Sequence, residues 1–143
     1  MESSLSQAKI DAILSEVETD FPRVEGVYLY GSAASGTRGR QSDIDVALLL
    51  PVVEAKTVGP LGMSKLRFRL EKILGCAVDL VNARLAPVVL QKEIVASGVP
   101  VFVRDRARLD GYEMLVLSLY GKLNEERKGI LEEFAATGKA YQA

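Results

Sequence analysis

Two short groups of residues, separated by ten positions, contain the side chains best suited to bind phosphate and a metal ion. Gly31-Ser32 follows an apolar run that ends at Tyr30, and Asp43-Ile44-Asp45 opens a second apolar run. A glycine permits positive φ and close approach of the backbone to a ligand. The serine offers a hydroxyl and a backbone N–H, which can bind phosphate if a helix begins there. Gly31 and Ser32 are therefore a candidate phosphate site.

Asp43 and Asp45 are separated by one residue. In a β-strand, side chains at that spacing lie on one face, with Cα atoms about 6.5–7 Å apart. Adjacent carboxylates raise each other's pKa unless a cation lies between them. Mg²⁺ accepts one or two carboxylates and completes its shell with water and substrate phosphates. Each half of the pattern also occurs in ordinary turns and strand ends, but together they favour phosphoryl or nucleotidyl transfer.

A third acid, Asp79, lies in the apolar segment 77–81. A charge in the middle of a strand is costly to bury without a partner. From the residues alone, Asp79 lies on an exposed face or forms a structural salt bridge, for which Arg84 is a candidate.

The composition is that of an ordinary globular protein with one domain. The 143 residues carry 18 basic and 19 acidic side chains, a net charge of −1, and 48% are apolar. The basic face of a nucleic-acid-binding protein is missing, so we expect no direct binding of long RNA or DNA. A nucleotide needs only a local positive site and stays possible.

The sequence contains one cysteine, Cys76, and no histidine. An intramolecular disulfide is therefore impossible, which favours a reducing compartment. Any metal must be held by oxygen ligands or, unusually, by the one thiol. The N-terminal residues show no signal-peptide pattern, and the longest uncharged apolar run, residues 46–53, is too short to span a membrane. We expect a cytoplasmic protein.

Apolar periodicity and chain breakers predict alternating helices and strands. The predicted strands are residues 24–30, 43–50, 76–81 and 99–103. The predicted helices start at Ser4 or Ser6 and end before Pro22, run over 64–74 and 87–97, and fill 106–136 with a break near Gly121. Residues 52–62 are predicted to be a loop. We expect one α/β domain over residues 1–143: a small mixed sheet flanked by helices, with a core at 24–103 and a C-terminal helical segment.

The helix predicted over residues 64–74 carries two further expectations. Ile73 is expected to face the core together with the leucines of this helix. Arg67, Arg69 and Lys72 are expected to form a solvated face.

The order strand, Gly-Ser, ten residues, Asp-x-Asp, strand resembles the G-S-x10-D-x-D signature of the DNA polymerase β-like nucleotidyltransferases. Gly31, Ser32, Asp43 and Asp45 match it in full. The resemblance implies a nucleotidyltransferase fold, Mg²⁺ as cofactor and ATP as substrate. It also implies a third carboxylate on a neighbouring strand, and Asp79 is the candidate. Asp79 would then help to hold the metal with Asp43 and Asp45 and accept the proton of the attacking hydroxyl.

Within this superfamily the chain looks most like the minimal nucleotidyltransferases, the MNT type, some of which are antitoxins of HEPN-domain ribonucleases. The resemblance covers about residues 24–103. It implies AMP transfer from ATP to a hydroxyl of a HEPN-type toxin. Two alternatives stay open: transfer to a small molecule or RNA end, and neutralisation of a partner by occlusion without catalysis.

One feature departs from the family pattern. Family members often carry arginine just after Gly-Ser, where this chain has residues 33–35, Ala-Ala-Ser. Arg38 and Arg40 are therefore the candidates to meet the charge of the triphosphate. They are equally compatible with a solvated loop.

Overall fold

The computed structural model describes residues 5–31 and 43–137. In these ranges four strands form one mixed sheet in the order β3-β2-β1-β4. The strands are β1 (Gly26–Tyr30), β2 (Ile44–Leu49), β3 (Val78–Asn82) and β4 (Val99–Val103). β1 pairs antiparallel with β2 and β4, whereas β2 and β3 are parallel. The mixed sheet expected from the sequence is confirmed, and β4 has the predicted bounds.

Five helices lie in the described part of the chain. They are α1 (Gln7–Asp20), α2 (Val52–Val58), α3 (Lys65–Leu74), α4 (Val88–Ser97) and α5 (Arg106–Thr137). Ser6, one of the two predicted caps of α1, accepts from the Lys9 N–H at 3.3 Å, and Ser4 lies outside the described residues. Ser64 caps α3 in the same way, and Gly75 ends that helix in the left-handed region at φ 72°.

The loop predicted over residues 52–62 is wrong, because α2 occupies most of it. Pro51 ends β2 and stands at the N-terminus of α2, where the missing N–H of proline costs nothing. The other end of α2 depends on Asn82 of β3, whose side chain donates to the carbonyls of Ala55 and Gly59 at 3.0 Å each. Such a contact between distant segments is invisible in the local pattern.

Two details of the longer helices also differ from the predictions. The break near Gly121 is absent, and α5 continues through it as one helix. Ile73, predicted to face the core, is 49% exposed. The buried face of α3 consists of Leu66, Leu70 and Leu74. It is narrower than the face predicted from the apolar residues of the helix.

The arginines predicted as a solvated face of α3 have structural contacts. Arg69 binds Glu16 and Asp20 of α1 at 2.8 Å each, which joins the two helices. Arg67 donates to the Val78 carbonyl at 3.0 Å and so ties α3 to β3. Lys72 is exposed as expected.

Helices cover both faces of the sheet. On one face, α1 and α3 bury Val27 and Leu29 of β1 and the alternate residues of β2. On the other face, α4 and the first half of α5 cover Tyr28, Ala47 and Leu49. Every residue of β2 except Asp45 is fully shielded, as its unbroken apolar run predicts. None of the helices in residues 5–31 and 43–137 has the length and hydropathy needed to cross a membrane.

An ion-pair cluster around the buried Glu25 lies at the end of the sheet where β1 begins. Glu25 is 6% exposed, and its two carboxylate oxygens accept from Arg84 at 2.7 Å and Arg108 at 3.1 Å. Arg84 also donates to the Leu50 carbonyl at 2.6 Å. The salt bridge considered between Arg84 and Asp79 is therefore wrong, since Arg84 is bound to Glu25 at the opposite end of the strands.

Candidate active site

Three strands bring two of the predicted acids and a tyrosine into one row. Tyr30 lies opposite Asp45 in the β1–β2 pair, and Asp45 lies beside Asp79 in the β2–β3 pair. Neighbouring strands are about 4.8 Å apart, so these side chains project from adjacent positions on one face. It is the face that α4 and α5 cover further along. The register places Asp79 next to Asp45, where the two charges interact directly.

Asp45 carries a charge that the described residues do not neutralise. Burial, followed by the negative charges of Asp79, Asp43 and Glu93, raises the pKa of Asp45 from 3.8 to about 6. All the charges that act on it from the described residues are negative. A site of this kind favours a cation, because a cation would relieve the repulsion and restore the ordinary ionised state.

Gly31 places the backbone against the acids. It follows the last residue of β1 and has φ +65°, in the left-handed region that side chains rarely adopt. A Cβ atom built at this position would collide with the Asp45 carboxylate oxygen Oδ2, and its Cγ would lie only 3.3 Å away. Glycine is therefore required both by the backbone conformation and by the space, and the candidate phosphate position lies directly beside an acid.

Only some of the predicted site residues lie in the described part of the chain. Asp43 is exposed and comes one residue before β2. Because side chains alternate along a strand, it lies on the same face as Asp45. Asp79 is also exposed, at the second position of β3 between the buried Val78 and Leu80. Ser32, Arg38 and Arg40 lie outside the described residues.

The described acidic side chains meet part of the requirement for binding a hard divalent cation. Among residues 5–31 and 43–137, no three acidic, cysteine or histidine side chains are arranged as one metal-binding group. Mg²⁺ commonly takes only one or two carboxylates and fills its shell with water and phosphate oxygens. The adjacent Asp45 and Asp79 fit that smaller requirement, and substrate phosphates would supply further ligands.

Two residues near the acids were missed in the sequence. Tyr30 is only 5% exposed, and its hydroxyl lies where the carboxylates of Asp79 and Asp45 act on it. Glu93 of α4 adds negative charge to the same region. The position of Tyr30 could have been inferred from the sequence. It comes immediately before Gly31, and strand alternation puts it on the opposite face from Leu29. The position of Glu93 depends on how α4 crosses the sheet, which no local pattern reports.

A mixed sheet that brings a glycine turn and acidic residues of neighbouring strands together is the architecture expected of a nucleotidyltransferase. The family model described as "Polymerase beta, Nucleotidyltransferase" matches residues 9–107. This match spans more than half of the chain, and the chain therefore belongs to that family. The family predicted from the Gly-Ser and Asp-x-Asp spacing is confirmed.

Particular relatives extend the likeness beyond the matched region. "Protein adenylyltransferase MntA" of Shewanella oneidensis is 29% identical over 136 residues, which cover 95% of this chain and 94% of that protein. A crystal structure of a toxin-antitoxin with AMP-PNP contains a chain that matches with TM-score 0.72 and 28% identity, covering 92% of this chain and 99% of that one. The fold is also shared, at 24% identity and TM-score 0.67, with a chain in the complex of a tri-AMPylated S. oneidensis HEPN toxin and an MNT antitoxin; the match covers 92% of this chain and 99% of that one.

Proposed function

We propose that this chain transfers AMP from ATP to a hydroxyl of a HEPN-type toxin and thereby neutralises it. The observation that carries the proposal is the position of Gly31 beside the Asp45 carboxylate, with Asp79 next to Asp45 in the sheet, in a chain of the nucleotidyltransferase family. The full-length match to a protein adenylyltransferase supports a protein as acceptor. The proposed enzyme is one nucleotidyltransferase domain over residues 1–143 and works in the cytoplasm, which the single thiol Cys76 favours.

The phosphates of ATP would lie at the turn after β1. The Gly31 backbone lies against the Asp45 carboxylate with no space even for a methyl group between them, so phosphates bound by this backbone would lie beside a metal held by Asp45. Ser32 would contribute its hydroxyl and N–H, and Arg38 and Arg40 would meet the triphosphate charge. These four residues form the proposed nucleotide site.

The acids would bind the metal and take up the proton. Asp43, Asp45 and Asp79 are the proposed Mg²⁺ ligands, and Asp45 and Asp79 are side by side in the sheet. Bound Mg²⁺ would neutralise charge on the phosphates and on these carboxylates. Asp79 is more exposed than Asp45, so an acceptor side chain can reach it from solvent.

The proposed reaction is a displacement at the α-phosphorus. The acceptor hydroxyl oxygen forms a bond to this phosphorus as the bond to the leaving oxygen breaks, and pyrophosphate leaves. Asp79 takes the proton of the hydroxyl, which it later passes to solvent. The chain's own contribution is to hold the reactants in line and to match their charge.

A protein partner is also supported by the surface of α5. Beyond its packed first half, α5 exposes Ile130, Leu131 and Phe134, with exposed fractions of 40%, 67% and 46%. Apolar side chains grouped on an exposed helix are typical of protein contact sites.

The acceptor we expect is a tyrosine or another hydroxyl of the toxin. Attached AMP adds negative charge and bulk there, which repels an RNA backbone.

The test is co-expression with a HEPN-domain protein encoded beside the gene, followed by measurement of the partner's intact mass. We expect a mass increase of one or more AMP units with the wild type and none with Asp45→Asn. The matched control is Asp110→Asn on α5, whose carboxylate is exposed and lies 3.9 Å from Arg106; it should modify the partner as the wild type does. A neutralised partner of unchanged mass would instead establish occlusion, and AMP found on RNA or a small molecule would establish a different acceptor.

A further inference from the structure

The hydroxyl of Tyr30 is a buried polar group without a hydrogen bond. The side chain is 5% exposed, and Oη lacks a hydrogen-bond partner in the described protein. A phenol hydroxyl removed from water without a partner costs about 1–3 kcal/mol. Phenylalanine would fill the same space without that cost, so stability alone does not explain a tyrosine here.

The surroundings of the hydroxyl identify its acceptor. In the sheet Tyr30 lies opposite Asp45, and Asp45 lies beside Asp79. A phenol is protonated at neutral pH and donates a hydrogen bond, and the carboxylates of these two residues are the acceptors in this row. Asp79 has the largest electrostatic effect on the Tyr30 phenol and is close enough to influence it as a hydrogen-bond acceptor, although Tyr30 Oη forms no hydrogen bond in the described protein.

The neighbouring tyrosine on the same face has a different environment. Tyr28 is two residues earlier on β1, and its hydroxyl donates to Glu113 of α5 at 2.6 Å. Tyr28 is thus a satisfied structural tyrosine that links the sheet to a helix. Tyr30 differs from Tyr28 in that its hydroxyl lies beside the acids of the candidate active site and is not bound to a structural partner.

We propose that Tyr30 is a positioning residue whose hydroxyl donates to one oxygen of Asp79 when nucleotide is bound. The other oxygen of Asp79 is then directed toward the metal and the acceptor hydroxyl. This role rests on the proposed function, because it assumes that Asp79 receives the acceptor's proton. Tyr30 itself does not contact ATP or the acceptor. A residue that acts in this way supports the rate of transfer and leaves the affinity for ATP unchanged.

Tyr30→Phe tests the role, with Tyr28→Phe as its matched control. Both changes remove one hydroxyl from the same strand face. For Tyr30→Phe we expect kcat to fall about 10- to 100-fold, as for other residues that orient a reacting ligand. We expect its KM for ATP and its ATP affinity by calorimetry to equal those of the wild type, and its melting temperature to stay the same or rise. Tyr28→Phe should lower the melting temperature and keep the wild-type kcat.

Each outcome separates the role of Tyr30 from the proposed function. An active wild type with an equally active Tyr30→Phe refutes the positioning role and leaves the proposed function standing. Loss of ATP affinity in Tyr30→Phe also refutes it, because the hydroxyl would then act on the nucleotide site. A wild type that transfers no AMP refutes the proposed function, and the role of Tyr30 falls with it.

Discussion

Removal of the Asp45 charge is expected to stabilise the metal-free protein while it abolishes activity. The raised pKa, from 3.8 to about 6, corresponds to about 3 kcal/mol of unfavourable interaction in the ionised state. The carboxylate is partly exposed, so solvent screening reduces the usable figure to about 1–2 kcal/mol. For a chain of this size, Asp45→Asn should raise the melting temperature by about 3–8 °C at pH 8 in EDTA.

The pH dependence of this gain follows from the direction of the shift. Asp45 binds its proton more tightly in the folded protein than in the unfolded chain, so the wild type loses stability as pH rises between the two pKa values. Below about pH 4 the carboxylate is protonated in both states, and the charge difference between wild type and variant disappears. The difference should grow up to about pH 6 and stay constant above it.

Thermal or urea unfolding between pH 4 and pH 8 measures this effect. Asp110→Asn, which removes an exposed carboxylate, should change stability by less than about 0.5 kcal/mol at every pH. Addition of Mg²⁺ and ATP should stabilise the wild type and not Asp45→Asn, which reverses their order. Equal stability of the two proteins at pH 8 in EDTA would refute the reasoning, since it would mean that the Asp45 charge is compensated without metal.

Two further substitutions probe the turn and the distal cluster. Gly31→Ala should lose ATP binding in calorimetry, because the new methyl group meets the Asp45 carboxylate and φ is positive; unchanged affinity would place the phosphates elsewhere. Glu25→Gln removes the counter-charge of the largely buried Arg84 and should cost about 3–5 kcal/mol in urea unfolding, whereas the exposed Arg108 adds little to this cost. Its AMP transfer per folded molecule should stay at the wild-type level, because the cluster lies at the far end of the sheet.

The sequence predicted the parts of the fold that depend on local pattern. Apolar runs and breakers gave β4 its observed bounds, and Ser64 with Gly75 marked both ends of α3 correctly. The α2 helix was missed because its end is capped by Asn82, 27 residues after Ala55. Short helices of this kind depend on distant partners more than on their own residues.

The candidate site was predictable in its residue types and not in its geometry. The spacing from Gly31 to Asp45 indicated a phosphate site beside an acid, and the structure puts these two residues in contact range. The row of Tyr30, Asp45 and Asp79 depends on the register of three strands, two of them joined by a long crossover. Register is set by packing of the whole sheet, and a single sequence does not report it.

The exposed end of the long C-terminal helix has a consequence for how long the free protein should persist in a cell. Every described side chain from 124 to 136 is exposed, so this half of α5 gains nothing from the core, and isolated helices of this length are marginal in water. Proteases cleave segments that open locally at low cost. In the free protein the degradation of the chain should therefore start here, while a partner that covers the exposed apolar residues would slow it. The amount of this protein in a cell would then follow the amount of its partner, without any change in gene expression.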